Sequence, residues 1–420
     1  MTATPISVAA ITARGGTRLQ MMPAATKEQL DPYMAQVVSY RKSGLSLNHI
    51  IGCPLDCAYC VRHFWGNFAQ KIPQMLETTA DAVQLLVDHP GFKPDVTPIQ
   101  IFNKATDPFL PAVKPELFAA LRDLDRRGLT NLVLLITRFR VTDADMAALE
   151  TLTNLRVTLL FTYSGIDDAR IEPIARSSIT TSSLATAAAT PKRRTKVILY
   201  WRPIVPGWND RPDTMAHVLD VGRAADAIVF TGYYHKRENA EYIASLGIEL
   251  PYGVEDAARR KTLPADLDRA VVDAWRSSGI DTPLYRKTSC GVSAVHGVPD
   301  YNGHWGVNEL CGICPLAQQN LCSDAHRAPS VEQLDTIFDR LGYRSPVMYD
   351  DGHIWTTGLT EQERYPIQHQ TGYQIWDTGL PHFHGNHGRS LVGFDPDGDD
   401  QRHVAAIRRE LEHQARFDDD

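Results

Sequence analysis

Seven cysteines divide into two groups, and the first group is compact enough to hold a metal centre. Cys53, Cys57 and Cys60 lie within the segment GCPLDCAYC, in the spacing C-x3-C-x2-C. Four thiolates normally complete a cubane [4Fe–4S] cluster. Three thiolates would leave one iron open to a small molecule, much as a catalytic zinc keeps an open position. A zinc site is the alternative, and it would need a fourth ligand such as the nearby His63.

The second group of cysteines follows after 229 residues that contain none. It adds one distant cysteine to the segment CGICPLAQQNLC, and its members are Cys290, Cys311, Cys314 and Cys322. Four ligands can close either a structural zinc site or a second [4Fe–4S] cluster. The seven thiols therefore divide into three plus four, with none left over.

Composition favours a folded intracellular protein. The 420 residues are 43% hydrophobic and 22% charged, which allows a sizeable core. The first residues lack the apolar segment of a signal peptide, and no run of 18 apolar residues predicts a membrane span. We therefore expect a cytoplasmic protein, in which cysteines serve as metal ligands or reactive thiols. The net charge of −7 argues against a large non-specific surface for nucleic acid.

The elements that would position these cysteines alternate between strand and helix. Helical spacing is present at 78–89, 114–128, 143–152 and 214–225. Six apolar segments predict strands: LNHIIG (47–52), TPIQIFN (97–103), NLVLLIT (131–137), RVTLLFTY (156–163), KVILYWRPIVPG (196–207) and AIVFTGYY (227–234). This order predicts a parallel sheet with helices packed on it. At about 190 residues the unit is shorter than an eight-stranded barrel of roughly 250. The expected fold is therefore α/β, an open partial (β/α)6 TIM-like barrel.

In this setting the cysteine motif resembles that of the radical S-adenosylmethionine (SAM) superfamily. The resemblance rests on C-x3-C-x2-C, on Tyr59 directly before the third cysteine, and on the parallel α/β pattern that follows. It implies an open iron that chelates the amino and carboxylate groups of SAM. It further implies that one electron cleaves SAM to methionine and a 5′-deoxyadenosyl radical, which abstracts hydrogen from a substrate. The segments TDPF, ITR and RPIVPGWND resemble the spore photoproduct lyase-like branch, over residues 45–240.

The resemblance also implies residues that contact SAM. Tyr59 would lie against the adenine, Arg138 would meet the carboxylate, and either Thr162 or Ser164 would bond the ribose. The methionine end would be lined by Asn103, Thr106 and Asp107, and Arg202 would be a further cofactor contact. Each of these polar residues could instead satisfy backbone groups at a strand end. Tyr233 and His235, at the end of the last strand, would face substrate or belong to the edge of the core.

The position of the second cysteine group, after the barrel, favours an auxiliary [4Fe–4S] cluster, because many members of the superfamily carry one there. This departs from spore photoproduct lyases, which have a single cluster and use a thiol as hydrogen donor. If Cys290, Cys311, Cys314 and Cys322 all act as ligands, no thiol remains to donate hydrogen, and DNA repair is not expected. A fully ligated cluster would transfer electrons during an oxidation, bond formation or rearrangement.

The expected enzyme is thus a radical SAM oxidoreductase or lyase that acts on a small molecule and receives electrons from a flavodoxin or ferredoxin. One alternative is radical modification or repair of nucleic acid or peptide. The alternative outside enzymes is a structural zinc-binding protein.

The chain divides into five predicted segments. They are a leader (1–44), the radical SAM barrel (45–240), a helical connection (241–280), an iron–sulfur lobe (281–330) and an α+β cap (331–420). Within the barrel, residues 177–194 read as either a helix or a flexible loop. In the cap, His382, His384 and His387 could bind a metal or lie in a surface loop, and Thr360 with Glu363 marks a helix start.

Overall fold

The computed structural model describes residues 8–173, 178–253, 260–350 and 352–378. The histidine group at 382–387 lies outside the described residues. No helix in the described part of the chain is long and apolar enough to cross a membrane.

Fourteen strands are present in the described residues. In chain order they are β1 (Val38–Arg41), β2 (Gly44–Leu47), β3 (Ile50–Ile51), β4 (Gln74–Met75), β5 (Ile99–Ile101), β6 (Leu132–Thr137), β7 (Arg156–Tyr163), β8 (Lys196–Ile204), β9 (Ala227–His235), β10 (Arg260–Thr262), β11 (Leu284–Tyr285), β12 (Met348–Asp350), β13 (His353–Thr356) and β14 (Ile375–Asp377).

The α-helices of the described residues alternate with these strands through most of the chain. They are α1 (Val8–Gly15), α2 (Ala24–Lys27), α3 (Pro32–Ala35), α4 (Thr79–Val87), α5 (Lys114–Arg126), α6 (Asp143–Glu150), α7 (Ser178–Ala189), α8 (Pro212–Gly222), α9 (Arg237–Ser245), α10 (Ala265–Ser278), α11 (Thr288–Val295), α12 (Asn308–Cys311), α13 (Leu316–Ala325), α14 (Val331–Leu341) and α15 (Glu361–Thr371). A 3-10 helix spans Val61–Trp65.

A curled mixed sheet forms the centre of the fold. Six parallel strands run in the order β2-β5-β6-β7-β8-β9, and β1 lies antiparallel beside β2. At the other edge, β9 pairs antiparallel with β10 near its end and parallel with β11 near its start. With helices on its outer face, the sheet is a half-barrel, which confirms the predicted partial TIM-like fold.

Side chains of the parallel strands alternate between two apolar layers, as the period of two in a strand requires. On β7, Leu159 and Phe161 belong to the large cluster that also holds Leu121 of α5 and Leu219 of α8. The residue between them, Leu160, belongs to a second cluster on the opposite face. The sheet is therefore buried on both faces, which explains the nearly continuous apolar sequence of its strands.

The second apolar layer covers the inner, concave face of the half-barrel. It joins Leu160, Ile198 and Val229 of three neighbouring strands to Val292 of α11 and to Tyr301. The lobe that carries the later cysteines thus packs into the half-barrel and does not form a separate appendage.

Register places one row of residues across this inner face. Thr162 pairs with Tyr200, Tyr200 with Val229, and Val229 with Tyr285. Thr137 pairs with Phe161, so Arg138, the next residue, begins at the level of Thr162. The row links the ends of β6 and β7 to β11 and the start of α11.

Three expectations about elements differ from the structure. The strand expected at 47–52 is two short strands: β2 belongs to the half-barrel, whereas β3 pairs with β4 in a separate ribbon. Asn48 between them donates to Ser46 Oγ at 2.6 Å and accepts from the Lys104 backbone at 3.1 Å, which turns the chain out of the sheet. Residues 178–189 of the ambiguous segment form helix α7.

The sheet also extends into segments where no strand was expected. Strand β1 lies in the predicted leader and β10 in the predicted helical connection. Each is only three or four residues long, and a strand this short carries too few alternations for a pattern to appear.

The C-terminal part of the described chain is a small module. Strand β13 pairs antiparallel with β12 and parallel with β14, and α15 connects β13 to β14. The predicted cap at Thr360 is confirmed, because its hydroxyl and the Glu363 carboxylate form a reciprocal capping box at the start of α15. Leu334, Ile354 and Ile375 share one apolar cluster, so α14 packs on this sheet.

Candidate functional site

The loop that bears the first three cysteines is held by buried polar contacts. Gly52, at the start of this loop, has a φ of +108°. A Cβ at this position would lie 2.4 Å from the carbonyl oxygen of Ile72. The buried guanidinium of Arg62 donates to the backbone oxygens of Leu55 at 2.7 Å and of Phe68 and Gln70 at 3.2 Å. Three carbonyl oxygens that would otherwise point into a closed loop are thereby satisfied.

The thiols of this loop lie in buried surroundings beside two guanidinium groups. Cys53 and Cys57 are buried, and burial raises the pKa of both thiols, while Arg62 and Arg138 respectively lower it in part. A thiol with a raised pKa stays protonated at neutral pH, and a metal centre bound here would stabilise the thiolate form. Three sulfurs flanked by two guanidinium groups fit an iron–sulfur cluster, whose thiolate ligands add negative charge.

A mononuclear zinc site is less consistent with the loop. Tetrahedral zinc with Zn–S near 2.3 Å places its sulfurs roughly 3.8 Å apart. In the described residues, no three cysteine, histidine or carboxylate ligand atoms that include Cys53, Cys57 or Cys60 lie within 4.8 Å of one another. His63, the expected fourth ligand, instead stacks on Phe68 with ring centroids 3.7 Å apart.

Arg138 is the centre of a polar network beside this loop. Its Nη1 donates to Cys57 Sγ at 3.1 Å, to Tyr59 Oη at 2.8 Å and to the Glu172 carboxylate at 3.0 Å. Tyr59 also donates to Glu172, and Ser164 Oγ donates to the same carboxylate at 3.2 Å. Burial lowers the pKa of Arg138, but Cys57 and Glu172 raise it by more, so the side chain stays charged.

Glu172 was not identified from the sequence. It lies 34 residues beyond Arg138, in a loop after β7 and outside every motif, and its carboxylate is buried. The segment around it, SGIDDARIEP, has no spacing that distinguishes this acid from its neighbours. Only the fold brings it to the cysteine loop, where the Ala58 backbone N–H also donates to Ile171 O at 3.0 Å.

Asp107 organises the loop that carries Arg138. Its Oδ1 accepts from Thr137 Oγ1 at 2.7 Å and from the Phe109 backbone at 2.9 Å, and its Oδ2 accepts from the Arg138 backbone at 2.9 Å. Burial raises the pKa of this carboxyl. Contact of Asp107 with SAM stays a prediction, and in the structure the residue positions Arg138.

The other residues expected near SAM are arranged along the same strand ends. Ser164 is buried. The side-chain amide of Asn209 donates to the backbone oxygen of Ser164 at 2.5 Å and to that of Pro203 at 2.8 Å. Thr162 is in the inner-face row. Within the described residues, the buried Thr106 hydroxyl has no hydrogen-bond partner.

Four further candidates have surroundings of their own. Asn103 accepts from Ser46 Oγ at 2.5 Å, which directs its amide to the end of β2. Arg202 lies over the ring of Tyr200, 4.2 Å from the centroid. Tyr233 is packed in the apolar cluster that contains Ala58 of the cysteine loop, and its buried hydroxyl has no hydrogen-bond partner. His235 Nε2 lies 2.7 Å from the Gly253 oxygen.

The four later cysteines belong to the lobe that packs into the half-barrel. Cys290 lies in α11, and the others are provided by α12, the turn after it and α13. Burial, with further contributions from the neighbouring Cys311 and Cys322, raises the pKa of Cys314 to about 12. The same holds for Cys290, whose pKa is raised by burial and by all three of the others.

A carboxylate and an imidazole accompany these sulfurs. Ligand atoms of Cys290, Asp300 and His304 lie within 4.8 Å of one another. Asp300 binds the His304 ring at 2.7 Å, and its backbone N–H donates to Cys322 Sγ at 3.4 Å. The sequence pattern pointed to the four cysteines but not to Asp300.

Comparisons with known proteins give structural neighbours alone. No protein-family model matches the chain, and no curated protein matches it. A spore photoproduct lyase variant is 10% identical, with a TM-score of 0.46 over 68% of this chain and 87% of that chain. A spore photoproduct lyase variant with bound AdoMet and dinucleoside spore photoproduct is 10% identical, with a TM-score of 0.44 over 66% and 83%. SuiB of Streptococcus suis bound to S-adenosylmethionine is also 10% identical, with a TM-score of 0.41 over 62% of this chain and 54% of that one.

Proposed function

We propose that this protein is a radical SAM enzyme in which Cys53, Cys57 and Cys60 hold a [4Fe–4S] cluster with one open iron. The observation that carries the proposal is the three-thiol loop, flanked by Arg62 of the 3-10 helix and by Arg138 at the end of the parallel strand β6. Open α/β sheets bind ligands at this edge. The spacing of the thiols and the stacked His63 argue against mononuclear zinc in the same loop.

When bound, such a cluster supplies the electron that cleaves SAM and generates the radical that removes a hydrogen atom from substrate. The protein's own residues bind and orient. Arg138 donates to the Cys57 sulfur, and hydrogen bonds to sulfur tune the potential of a cluster. All of its contacts with Cys57, Tyr59 and Glu172 use Nη1, which leaves Nη2 for the carboxylate of SAM. Glu172 fixes the guanidinium and Asp107 fixes its backbone.

The second cysteine group would hold an auxiliary [4Fe–4S] cluster that exchanges electrons with a small-molecule substrate. Support comes from four half-buried thiols, of which Cys290 and Cys314 pack against the apolar layer on the inner face of the half-barrel. A flavodoxin or ferredoxin would supply electrons to the first cluster. The reaction would be an oxidation, bond formation or rearrangement.

A structural zinc ion is the second candidate for this later group. Cys290, Asp300 and His304 lie at the mutual spacing of ligands of a single metal ion. The two candidates differ in metal content, so one assay separates them.

The test is anaerobic reconstitution followed by metal and sulfide analysis, Mössbauer spectroscopy and EPR with and without SAM. Two clusters predict about eight irons per chain, and the triple variant Cys53→Ala, Cys57→Ala and Cys60→Ala should retain about four. SAM should perturb the EPR signal of the wild type only. About four irons plus one zinc in the wild type would assign the later group to zinc, and a zinc-loaded protein without iron would overturn the proposal.

A further inference from the structure

A cavity opens on the inner face of the half-barrel and has an unusual charge. It contains about 340 Å³ of space between atoms, part of it open to solvent. No aspartate or glutamate is among the described residues that line it, whereas four cationic side chains are: Lys42, Lys261, Arg286 and Lys287. Of these four, Arg286 forms an ion pair with Asp268 at 2.5 Å.

The cavity lies between the two cysteine groups. Its wall includes Tyr200, which is two strands away from Arg138 in the inner-face row, or about 10 Å at a strand spacing near 4.8 Å. Ser289 also lines the cavity, and the next residue is Cys290. A molecule bound here would be near both centres.

Two titrating side chains report the same positive potential. Burial, with a further contribution from the neighbouring Lys261, lowers the pKa of Lys287 to about 7. Burial raises the pKa of Tyr200, but Lys261 and Arg202 outweigh burial and bring it down to about 7. A positive field destabilises an ammonium and stabilises a phenolate, so Lys261 contributes to both shifts.

Neutral donors surround the same space. Thr288 and Ser289 begin α11, where the first backbone N–H groups have no partner within the helix. The helix dipole adds partial positive charge at this end. The Tyr200 and Thr288 hydroxyls form a hydrogen bond with each other at 3.0 Å, and a hydroxyl can form further hydrogen bonds with a bound group.

We propose that this cavity binds the phosphate group of a phosphorylated small-molecule substrate, with Lys261 and Lys287 as its principal cationic contacts. The inference rests on the proposed radical SAM function where it calls the bound molecule a substrate. Phosphate binding itself is tested without that assumption. Several lysines and a helix start favour a dianion with many acceptor oxygens over a single carboxylate.

The test is calorimetric titration of the reconstituted full-length protein with inorganic phosphate. Lys261→Met and Lys287→Met should each weaken binding by about tenfold or more, because each removes a charge-assisted hydrogen bond. Lys261→Arg, which keeps the charge, should lose less. Lys93→Met is the matched control, because its side chain is exposed and outside the cavity, and it should bind phosphate like the wild type. Thermal unfolding of each variant checks that it is folded.

Succinate, a dianion of different shape, is the second probe. Phosphate should bind more tightly than succinate in the wild type. Absence of phosphate binding, binding by both lysine variants equal to that of the wild type, or tighter binding of succinate would overturn the inference. SAM cleavage by the wild type without substrate is measured separately. Its absence would count against the proposed function. It would not change the interpretation of the phosphate titration.

Discussion

Arg138 and Glu172 are a buried ion pair whose partners are all polar groups of the site. Their side chains are 14% and 4% exposed, and they lie 3.0 Å apart. Burying two charges is favourable only when good geometry and further hydrogen bonds compensate for lost hydration. Tyr59, Ser164 and Cys57 provide those bonds, so the network should be weakened more by the loss of a charged member than by the loss of a neutral one.

Glu172→Gln tests this difference. We expect it to lower the free energy of unfolding by about 3–5 kcal/mol, because Arg138 would keep its charge without a buried counter-ion. Tyr59→Phe, the matched neutral deletion in the same network, should lower it by about 1 kcal/mol. Urea unfolding of the apoprotein measures both changes. Equal losses would show that the ion pair is not the stabilising contact.

The residues of this network were only partly predictable. Cys57, Tyr59 and Arg138 stand in short motifs, and the fold brings them together. Glu172 meets Arg138 across 34 residues of the chain, and the Asp300 backbone meets Cys322 across 22 residues. No local spacing encodes such contacts, so a single sequence does not reveal them.

At the scale of elements, the cysteine loop depends on how its two ends leave the β3–β4 ribbon. Gly52 adopts a φ that L side chains rarely adopt, and the backbone of Ile72 occupies the space of a Cβ. Gly66, which ends the 3-10 helix after the loop, also has positive φ, but a Cβ at this position would have no atom within 4 Å. Substitution of Gly66 would therefore cause conformational strain alone, whereas substitution of Gly52 would cause strain and a steric clash.

Gly52→Ala should impair the loop far more than Gly66→Ala. Both substitutions cost about 1 kcal/mol for the backbone conformation. Only the first forces backbone atoms apart, and overpacking of this kind adds typically about 1–3 kcal/mol. Iron incorporation and unfolding free energy should therefore both fall in Gly52→Ala, with iron largely kept in Gly66→Ala. The same iron content in both variants would contradict this reading of the loop.

Strand prediction succeeded where both faces of a strand are buried. The bounds of β7 match the apolar run RVTLLFTY, because a run of consecutive buried residues leaves no other interpretation. It failed at β2 and β3, where one apolar run serves two sheets. The break there comes from side-chain hydrogen bonds of Asn48, whose partner at Lys104 lies 56 residues away.

For the whole molecule, three histidines link stability to pH, of which two are buried and His296 is half-buried. Burial lowers the pKa of His49 and His369 to about 4 and that of His296 to about 3. Each ring is therefore neutral in the folded protein at pH 5, whereas in the unfolded chain, with a pKa near 6.5, it binds a proton. The unfolded state binds more protons in this range, so stability is complete above about pH 6.5 and is lost as pH falls toward 4.

His49→Gln should make the protein less sensitive to acid. The wild type should lose about 2 kcal/mol of stability from this histidine alone between pH 7 and pH 5, and the variant should not. His49 is fully buried beside Thr79, 2.9 Å from its hydroxyl. The exposed His217 supplies the control variant His217→Gln, which should keep the wild-type slope. Parallel slopes for all three proteins in denaturant titrations at both pH values would exclude the effect.

The short connection between β1 and β2 has a consequence for chain length. The Lys42 oxygen accepts from Asn302 at 3.0 Å and contacts the His369 ring at 3.1 Å, and the Ser43 oxygen accepts from Tyr301 at 3.3 Å. Hairpin connections at a sheet edge usually tolerate insertions, because nothing packs on them. This one is the shared anchor of the cysteine lobe and the C-terminal module, so relatives of this protein that keep both parts should vary in length elsewhere and keep these two residues without insertion.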